Sequence, residues 1–235
     1  MTDSLIEPVA GERAEVLDQL LAQRWSCRSY RPDPVPREIV EQLLTMAQRT
    51  ASWCNTQPWQ TIVLSGAATD RFREALSAHV ATGAEGAFDF EAPGQYQGVY
   101  RDRRRESGWQ LYDAVGIEKG DRAASTTQML QNFRFFDAPH VAIVTTDAQH
   151  ATYGAVDGGL YVSTFLLAAQ SLGLGTVPQA AVAGYSPFVR EYLGIGEDRK
   201  ILVTIPFGYP DAEHPINGYR TDRADLSEVA TFIDE

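Results

Sequence analysis

Apolar residues in this chain recur at helical spacing in some stretches and form short uninterrupted runs in others. Amphipathic or broadly apolar stretches of sufficient length predict helices, at residues 15–23, 36–48, 69–80, 103–115, 121–133 and 155–171, with another starting at Ser186-Pro187. Short apolar runs predict buried strands, at residues 61–64, 140–145 and 200–207, with a shorter extended piece at 176–181. Because helices and strands do not alternate regularly, the order predicts an α+β fold.

Residues 83–101 interrupt this pattern with glycines and aromatic side chains and show little periodicity. Loops of this length are uncommon in a compact domain unless they form a lid or a binding loop or are disordered. Aromatic rings in and beside the segment could stack on a flat substrate; they are Phe88, Phe90, Tyr96, Tyr100, Trp109 and Tyr112. The alternative is that these rings pack the segment onto the body of the protein.

The chain has 235 residues, 44% of them hydrophobic, which is enough for one large domain. We find no linker and therefore expect a single domain over residues 1–235. The formal charge of −11 argues against nonspecific binding to nucleic acids or anionic membranes, because both need a positive surface. The arginine-rich segment 101–105 is either a solvated helix face or a rim that attracts anionic substrates or the phosphates of a nicotinamide donor.

Two cysteines, Cys27 and Cys54, show neither zinc-ligand spacing nor a histidine cluster, so we expect no metal site and a reducing cytoplasm. Residues 1–11 lack the apolar core of a secretory signal. The most apolar window, 153–174, is interrupted by polar residues and glycines and falls short of a membrane span. It predicts a largely buried helix instead.

Arg24, Trp25, Ser26 and Arg28 stand close together after the first predicted helix. Two guanidinium groups and a hydroxyl suit an anionic group such as a phosphate, because arginine offers planar, permanently charged hydrogen-bond donors. The alternative is a helix carboxyl end whose cations interact favourably with the helix dipole. Two late arginines, Arg220 and Arg223, are ordinary surface charges when each is considered alone.

A second polar segment, residues 52–59, contains Asn55 and Gln57 between two tryptophans. Amide side chains donate and accept hydrogen bonds at once, as the edge of a heterocycle requires. The alternative is a simple turn ended by Pro58, with Trp53 and Trp59 in the core. Taken together, the anion segment and this segment suggest a bound flavin mononucleotide (FMN).

These segments read as R-x-S-x-R-x-[FY] and S-x-x-N-x-Q-P-W, followed later by a glycine-rich helix, a V-P-x-x-x strand and a basic tail. The combination resembles the nitroreductase-like FMN-dependent oxidoreductase family from about residue 15 to residue 230. The resemblance implies a mostly antiparallel sheet flanked by helices, in an interlocked homodimer with two FMN sites at the subunit interface. It also implies that residues 83–117 form a lid.

The resemblance assigns roles residue by residue. Arg24 and Ser26, with Arg220 or Arg223, would bind the phosphate, and Arg28 would reach the N1/O2 edge of the flavin ring. Four residues, Ala51, Ser52, Trp53 and Asn55, would approach from the partner subunit, with Gln57 nearby. The strand after the central helix would run Pro178, Gln179, Ala180 and Ala181 along the ring and offer a backbone N–H to N5. The family often has proline, glutamate and glycine where this chain has Ala51, Ala180 and Ala181.

The implied activity is an NAD(P)H oxidoreductase that reduces nitroaromatic or quinone-like acceptors, with donor and acceptor using one site in ping-pong order. Such acceptors are small, planar and aromatic. Two alternatives stay open at this point. One is a flavoenzyme of the same fold with another reaction, such as flavin fragmentation, dehalogenation or dehydrogenation, and the other is a noncatalytic flavin carrier or sensor.

Overall fold

The computed structural model describes residues 10–234. Residues 1–9, on which the expectation of no secretory signal largely rests, and residue 235 lie outside the described residues. The helices are α1 Ala10–Gln23, α2 Arg37–Ala47, α3 Ala67–Ala81, α4 Gly98–Ala114, α5 Arg122–Leu130, α6 Ala151–Ser171, α7 Ala180–Ala183, α8 Ser186–Leu193 and α9 Leu226–Val229. The strands are β1 Trp59–Ser65, β2 His140–Asp147, β3 Gly175–Thr176 and β4 Arg199–Gly208.

The four strands form one antiparallel sheet in the order β1-β2-β4-β3. The central strand β2 is buried along nearly its whole length, which explains why its sequence is a continuous apolar run rather than an alternating one. Its successive side chains point to opposite faces of the sheet. Ala142 and Val144 therefore belong to one core, and Val141 and Ile143 to another. This arrangement confirms the predicted α+β class.

One core lies between the sheet and helices α2 and α6, and is built around Leu43, Phe165 and Phe207. Helix α6 comes close to β4 because Gly158 has no side chain: a Cβ there would collide with Leu202. The other core, on the opposite face, includes Phe72 of α3 together with residues of α7 and α8. The sheet is thus covered by helices on both faces.

Three predicted elements differ from the observed ones. Residues 176–181 are not one extended piece, because the alanine-rich sequence from Ala180 favours the helix α7. The helix predicted at 121–133 ends at Leu130 and continues as 3-10 turns, in which Phe135 and Phe136 have positive φ values. The irregular segment predicted at 83–101 is shorter, since α4 already begins at Gly98.

Within residues 10–234, none of the helices combines the length and apolarity needed to cross a membrane. Even α6, at 21 residues, carries the buried carboxylate of Asp157.

Candidate functional site

The segment that follows α1 runs beside the short strand β3. Ser26 forms an isolated bridge with Thr176, and the Cys27 N–H donates to the Thr176 carbonyl at 2.9 Å. The close approach depends on Gly175, because a Cβ there would lie 2.7 Å from the Cys27 sulfur. This pairing fixes the backbone that presents Arg24, Ser26 and Arg28.

A buried amide, Asn217, joins this segment to the C-terminal part of the chain. Its Oδ1 accepts the Arg28 backbone N–H at 2.9 Å, and its Nδ2 donates to the Ser29 carbonyl at 2.9 Å and to the Asp211 carbonyl at 2.8 Å. Asn217 is only 4% exposed, so these bonds are shielded from water. The connection brings Arg220 and Arg223 to the segment that carries Arg24.

The two segments enclose a cavity of about 310 Å³, which we call the arginine cavity. It is lined by Leu21, Ala22, Arg24, Trp25, Ser26, Arg28, Ser107, Tyr219, Arg220, Thr221 and Arg223. The Arg220 guanidinium lies 4.4 Å from the Trp25 ring centroid, a cation–π contact. The lining therefore contains four arginines and no aspartate or glutamate.

The charges of this cavity are not neutralised within the described part of the chain. None of the four arginines lies within 4.0 Å of a carboxylate there; Arg28, for example, donates to the Ser26 carbonyl and to the Tyr219 hydroxyl. Burial lowers the pKa of Arg24, and the positive charges of Arg223 and Arg220 lower it further. A cluster of like charges with unused donors is a site for an anion.

A second cavity, of about 370 Å³, adjoins the first and shares part of its lining. It is lined by Arg28, Arg104, Arg105, Ser107, Gly108, Trp109, Leu111, Tyr112 and Tyr219. Arg28 and Tyr219 belong to both cavities, and their side chains are hydrogen bonded at 3.0 Å. We call this second space the α4 cavity, since most of its wall is that helix.

The 51–57 loop does not line either cavity within one chain. Cys54, Asn55 and Gln57 have φ values of 49°, 56° and 49°. Residues other than glycine rarely adopt this left-handed backbone conformation. Amide hydrogen bonds hold the loop, including one from Gln48 Nε2 to Gln57 Oε1 at 2.8 Å. Trp59 is in the core, whereas Trp53 is 54% exposed. The loop is thus ordered but faces outward.

The segment 178–181 has one buried side chain and three that are not fully buried. Gln179 is held inside by its Nε2, which donates to the Asn132 carbonyl at 3.0 Å, and by its backbone pairing with Thr204. The exposed residues Pro178 and Ala180 flank it. Because α7 begins at Ala180, the first N–H groups of this helix have no intrahelical partner.

The six aromatic candidates fall into separate groups. Phe88 packs against Gly184, and Phe90 lies 5.6 Å from the Lys200 ammonium, so both rest on the α7–β4 side. Trp109 and Tyr112 line the α4 cavity. Tyr96 lies below the Arg104 guanidinium at 5.7 Å, while Tyr100 is 67% exposed. One chain therefore does not gather all six into a single wall.

Sequence reasoning missed Asn217, Tyr219 and Ser107. Asn217 and Tyr219 lie three residues and one residue before Arg220, and that proximity was the available signal. Ser107 lies on α4 next to the 101–105 run and lines both cavities. Nothing in its local sequence distinguishes it from an ordinary exposed helical serine.

Comparison with known proteins places this site in context. The Nitroreductase family matches residues 21–209. The chain is 38% identical to nitroreductase NfnB of Mycolicibacterium smegmatis, over 93% of each chain. It is 36% identical to a 4-nitrobenzoate reductase of a Nocardioides species, covering 93% of this chain and 90% of that one.

The fold also matches that of a nitroreductase of known structure. The crystal structure of the FMN-dependent nitroreductase NfnB from Mycobacterium smegmatis in complex with NADPH superposes with a TM-score of 0.89 at 37% identity. The match covers 94% of this chain and 99% of that one. The family match covers residues 21–209, and these relatives cover 93–94% of the chain. The chain belongs to the nitroreductase family.

Proposed function

We propose that this protein is an FMN-dependent oxidoreductase that takes electrons from NAD(P)H and reduces nitroaromatic or quinone-like acceptors in ping-pong order. The observation that carries the proposal is the arginine cavity, in which four arginines have no carboxylate partner in the described structure. The relatives support it, because they are named as nitroreductases and one is described as FMN-dependent and in complex with NADPH.

The residues present fit FMN. Arg24, Ser26, Arg220 and Arg223 offer charged and neutral donors for its terminal phosphate, whose negative charge would offset the repulsion that Arg223 and Arg220 exert on Arg24. FMN bound there would supply two-electron transfer between donor and acceptor. Arg28 contributes a fixed positive charge, oriented by Tyr219 and Ser26, that stabilises negative charge developing during reduction.

We infer that, at residues 178–181, backbone N–H groups rather than side chains donate hydrogen bonds to the flavin ring. Methyl groups at Ala180 and Ala181 neither donate nor accept hydrogen bonds. The N–H groups at the start of α7 are the donors available in this segment. Gln179 acts as a structural support, because its side chain is used in bonding to Asn132.

We also propose a homodimer in which the partner subunit's loop completes the site. Helix α1 exposes Val16, Leu17 and Leu21, and α6 exposes Tyr153, Val156 and Leu160, each between 49% and 57%. Contiguous apolar surface of this kind marks an interaction face. The outward orientation of the 51–57 loop suits a role in the neighbouring subunit. An exposed free thiol, Cys54, fits a reducing compartment such as the cytoplasm.

The test begins with the purified protein. Chromatography of the released cofactor should give FMN, and anaerobic addition of NADPH or NADH should bleach the flavin absorbance. A planar nitroaromatic added afterwards should restore the absorbance. A flavin that stays oxidised with both donors would favour a carrier or sensor, whereas FAD or no flavin after reconstitution would contradict the proposed cofactor.

A further inference from the structure

The arginines of α4 differ from one another in their partners. Arg101 pairs with Asp102, and Arg103 pairs with Glu228 at 2.9 Å. Arg104 and Arg105 line the α4 cavity, and neither lies within 4.0 Å of a carboxylate in residues 10–234. Arg101 and Arg103 therefore have carboxylate partners, whereas Arg105 and Arg104, whose guanidinium lies 5.7 Å from the Tyr96 ring centroid, do not have one among the described residues.

The remaining lining of the α4 cavity suits a flat molecule. Trp109, Tyr112 and Tyr219 contribute aromatic rings, and Leu111 contributes an aliphatic side chain. No aspartate or glutamate belongs to this lining, although the whole chain has 31 acidic residues against 20 basic ones. The cavity lining is thus positively charged although the protein as a whole is negatively charged, and it also presents aromatic rings. An aromatic anion would match both properties.

The position of the cavity identifies what kind of molecule would bind there. It adjoins the arginine cavity, because Arg28, Ser107 and Tyr219 line both cavities and the first and last of these are hydrogen bonded to each other. FMN carries one phosphate, which the arginine cavity would hold. A second anionic group beside Arg104 and Arg105 in the adjoining α4 cavity would therefore belong to a substrate rather than to the cofactor.

We propose that Arg104 and Arg105 form a second anion site, which binds a carboxylate or phosphate group of a substrate lying against Trp109 and Tyr112. This inference rests on the proposed function. Two substrates carry such a group: an acceptor with a ring carboxylate, and a donor with a 2′-phosphate. Guanidinium groups bind both anions with the same paired donors.

The experiment uses the FMN-loaded protein and the variants Arg104→Ala, Arg105→Ala and the double variant. Arg101→Ala, on the same helix but paired with Asp102, is the matched control. For each, kcat/KM is measured for 4-nitrobenzoate against nitrobenzene, and for NADPH against NADH. The acceptors differ in the ring carboxylate and the donors in the 2′-phosphate, so a ratio cancels general damage to the enzyme.

If the bound anionic group belongs to the acceptor, the ratio of kcat/KM for 4-nitrobenzoate to that for nitrobenzene should fall about tenfold in the double variant, the usual scale for losing a charge-assisted hydrogen bond. If the group belongs to the donor, the ratio of kcat/KM for NADPH to that for NADH should fall instead. The control should keep both ratios. Both ratios unchanged in the double variant would overturn the proposal.

Equilibrium binding separates this inference from the proposed function. Calorimetry would compare benzoate with benzamide and NADP⁺ with NAD⁺, none of which requires turnover. Weaker binding of the more highly charged ligand in the double variant, with its reference ligand unaffected, supports the anion site even if no acceptor is reduced. If parent and double variant bind both charged ligands equally while acceptors are still reduced, the proposed function stands and the anion site is wrong.

Discussion

The backbone N–H of Trp53 lies 3.2 Å from each carboxylate oxygen of Asp157. Asp157 is only 4% exposed and sits on α6 beside Gly158, where the helix packs closely on β4. The edge-on contact of Trp53 with Tyr153, at 4.2 Å between ring centroids, adds a second link to the same helix. The core of the protein thus sets the position of the outward-facing loop.

Asp157→Ala should destabilise the protein and loosen the loop. Removing the acceptor leaves the Trp53 N–H without its partner, which costs about 1–3 kcal/mol of unfolding free energy. Urea denaturation measures the loss, and an FMN titration measures the effect on the site. Asp157→Asn keeps one acceptor oxygen and should lose less in both. Equal stability of the alanine variant and the parent would show that the contact does not hold the loop.

Arg24→Ala should weaken FMN binding by about 1.5–3 kcal/mol, the scale of a hydrogen bond to a charged group. Titration of the apoprotein with FMN, followed by quenching of flavin fluorescence, measures the change. Arg37→Ala is the control, since that side chain is exposed and pairs with Glu41 within α2. Unchanged FMN affinity in the Arg24 variant would remove this residue from the phosphate site.

Inorganic phosphate should stabilise the apoprotein more than chloride does at matched ionic strength. An anion that binds only the folded state adds about 2.7 kcal/mol at a concentration one hundred times its Kd, and the like charges around Arg24 provide the site. Thermal unfolding measures the difference. The extra stabilisation by phosphate over chloride should be smaller in Arg24→Ala. Equal stabilisation of the parent by the two anions would contradict a phosphate site in the arginine cavity.

The sequence predicted the buried strands and long helices well because their patterns are strong. The β2 run around residues 140–145 is buried on both faces, and Val40, Leu43 and Ala47 of α2 share one buried face. Where the local signal is short or absent, prediction was poorer. Helix α7 is only four residues long, and the 3-10 turns at 131–137 depend on left-handed Phe135 and Phe136, for which no glycine gave a signal.

The candidate site was predictable as far as it depends on short motifs. Arg24, Ser26, Arg28, Arg220 and Arg223 do line one cavity, although their roles toward FMN stay predictions. Asn217 and Tyr219 were missed because their importance comes from contacts across about 190 residues of chain, such as the Arg28 to Asn217 hydrogen bond. Their proximity to Arg220 in the sequence was a signal, but it does not show which distant residue they contact.

His140 should make stability fall as the pH drops below about 6.5. Its Nε2 accepts the Val35 N–H at 2.8 Å and its Nδ1 is 2.7 Å from the Ser65 hydroxyl, so the folded state needs the neutral ring. Burial lowers the pKa of His140 below 6.5, and the unfolded chain therefore binds more protons in this pH range. Stability is complete above the unfolded pKa and decreases below it.

One such histidine changes the unfolding free energy by at most about 1.4 kcal/mol per pH unit. Urea unfolding of the parent and of His140→Gln over the acidic range measures it. The variant should be less stable at neutral pH but show a shallower decline as the pH falls. The same slope in both proteins would assign the acid sensitivity to other groups.

The segment between α3 and α4 consists of an anchored part and an exposed part. Asp89 pairs with Arg190 at 2.6 Å and accepts the Ile201 N–H at 2.7 Å, while residues 91–97 are exposed throughout. Asp89→Ala should cost about 3 kcal/mol of unfolding free energy, since it removes the close carboxylate of a mostly buried arginine, whose other carboxylate partner, Glu197, is exposed and 3.9 Å away. Replacing 91–97 by a glycine-serine segment of equal length should leave stability nearly unchanged.

The same pair of variants tests whether the segment acts as a lid. If it does, the 91–97 replacement should change kcat and KM for nitroaromatic acceptors while FMN stays bound. Steady-state kinetics with several acceptors measures this, and unfolding by urea supplies the stability comparison. Kinetics identical to those of the parent for every acceptor would show that this exposed part has no role in substrate choice.

Leu160→Glu should convert the protein to monomers and weaken its hold on FMN. Leu160 is 49% exposed on the apolar face of α6, and a carboxylate buried against a second copy of that face would lose its hydration without gaining a partner. Light scattering measures the mass, and the flavin absorbance of the purified protein measures FMN occupancy.

Gln42→Glu adds the same charge to an exposed polar position of α2 and should change neither the mass nor the occupancy. If the partner's 51–57 loop completes the site, mass and flavin content fall together; a stable monomer of the Leu160 variant with full FMN affinity would mean that one chain suffices to bind the cofactor.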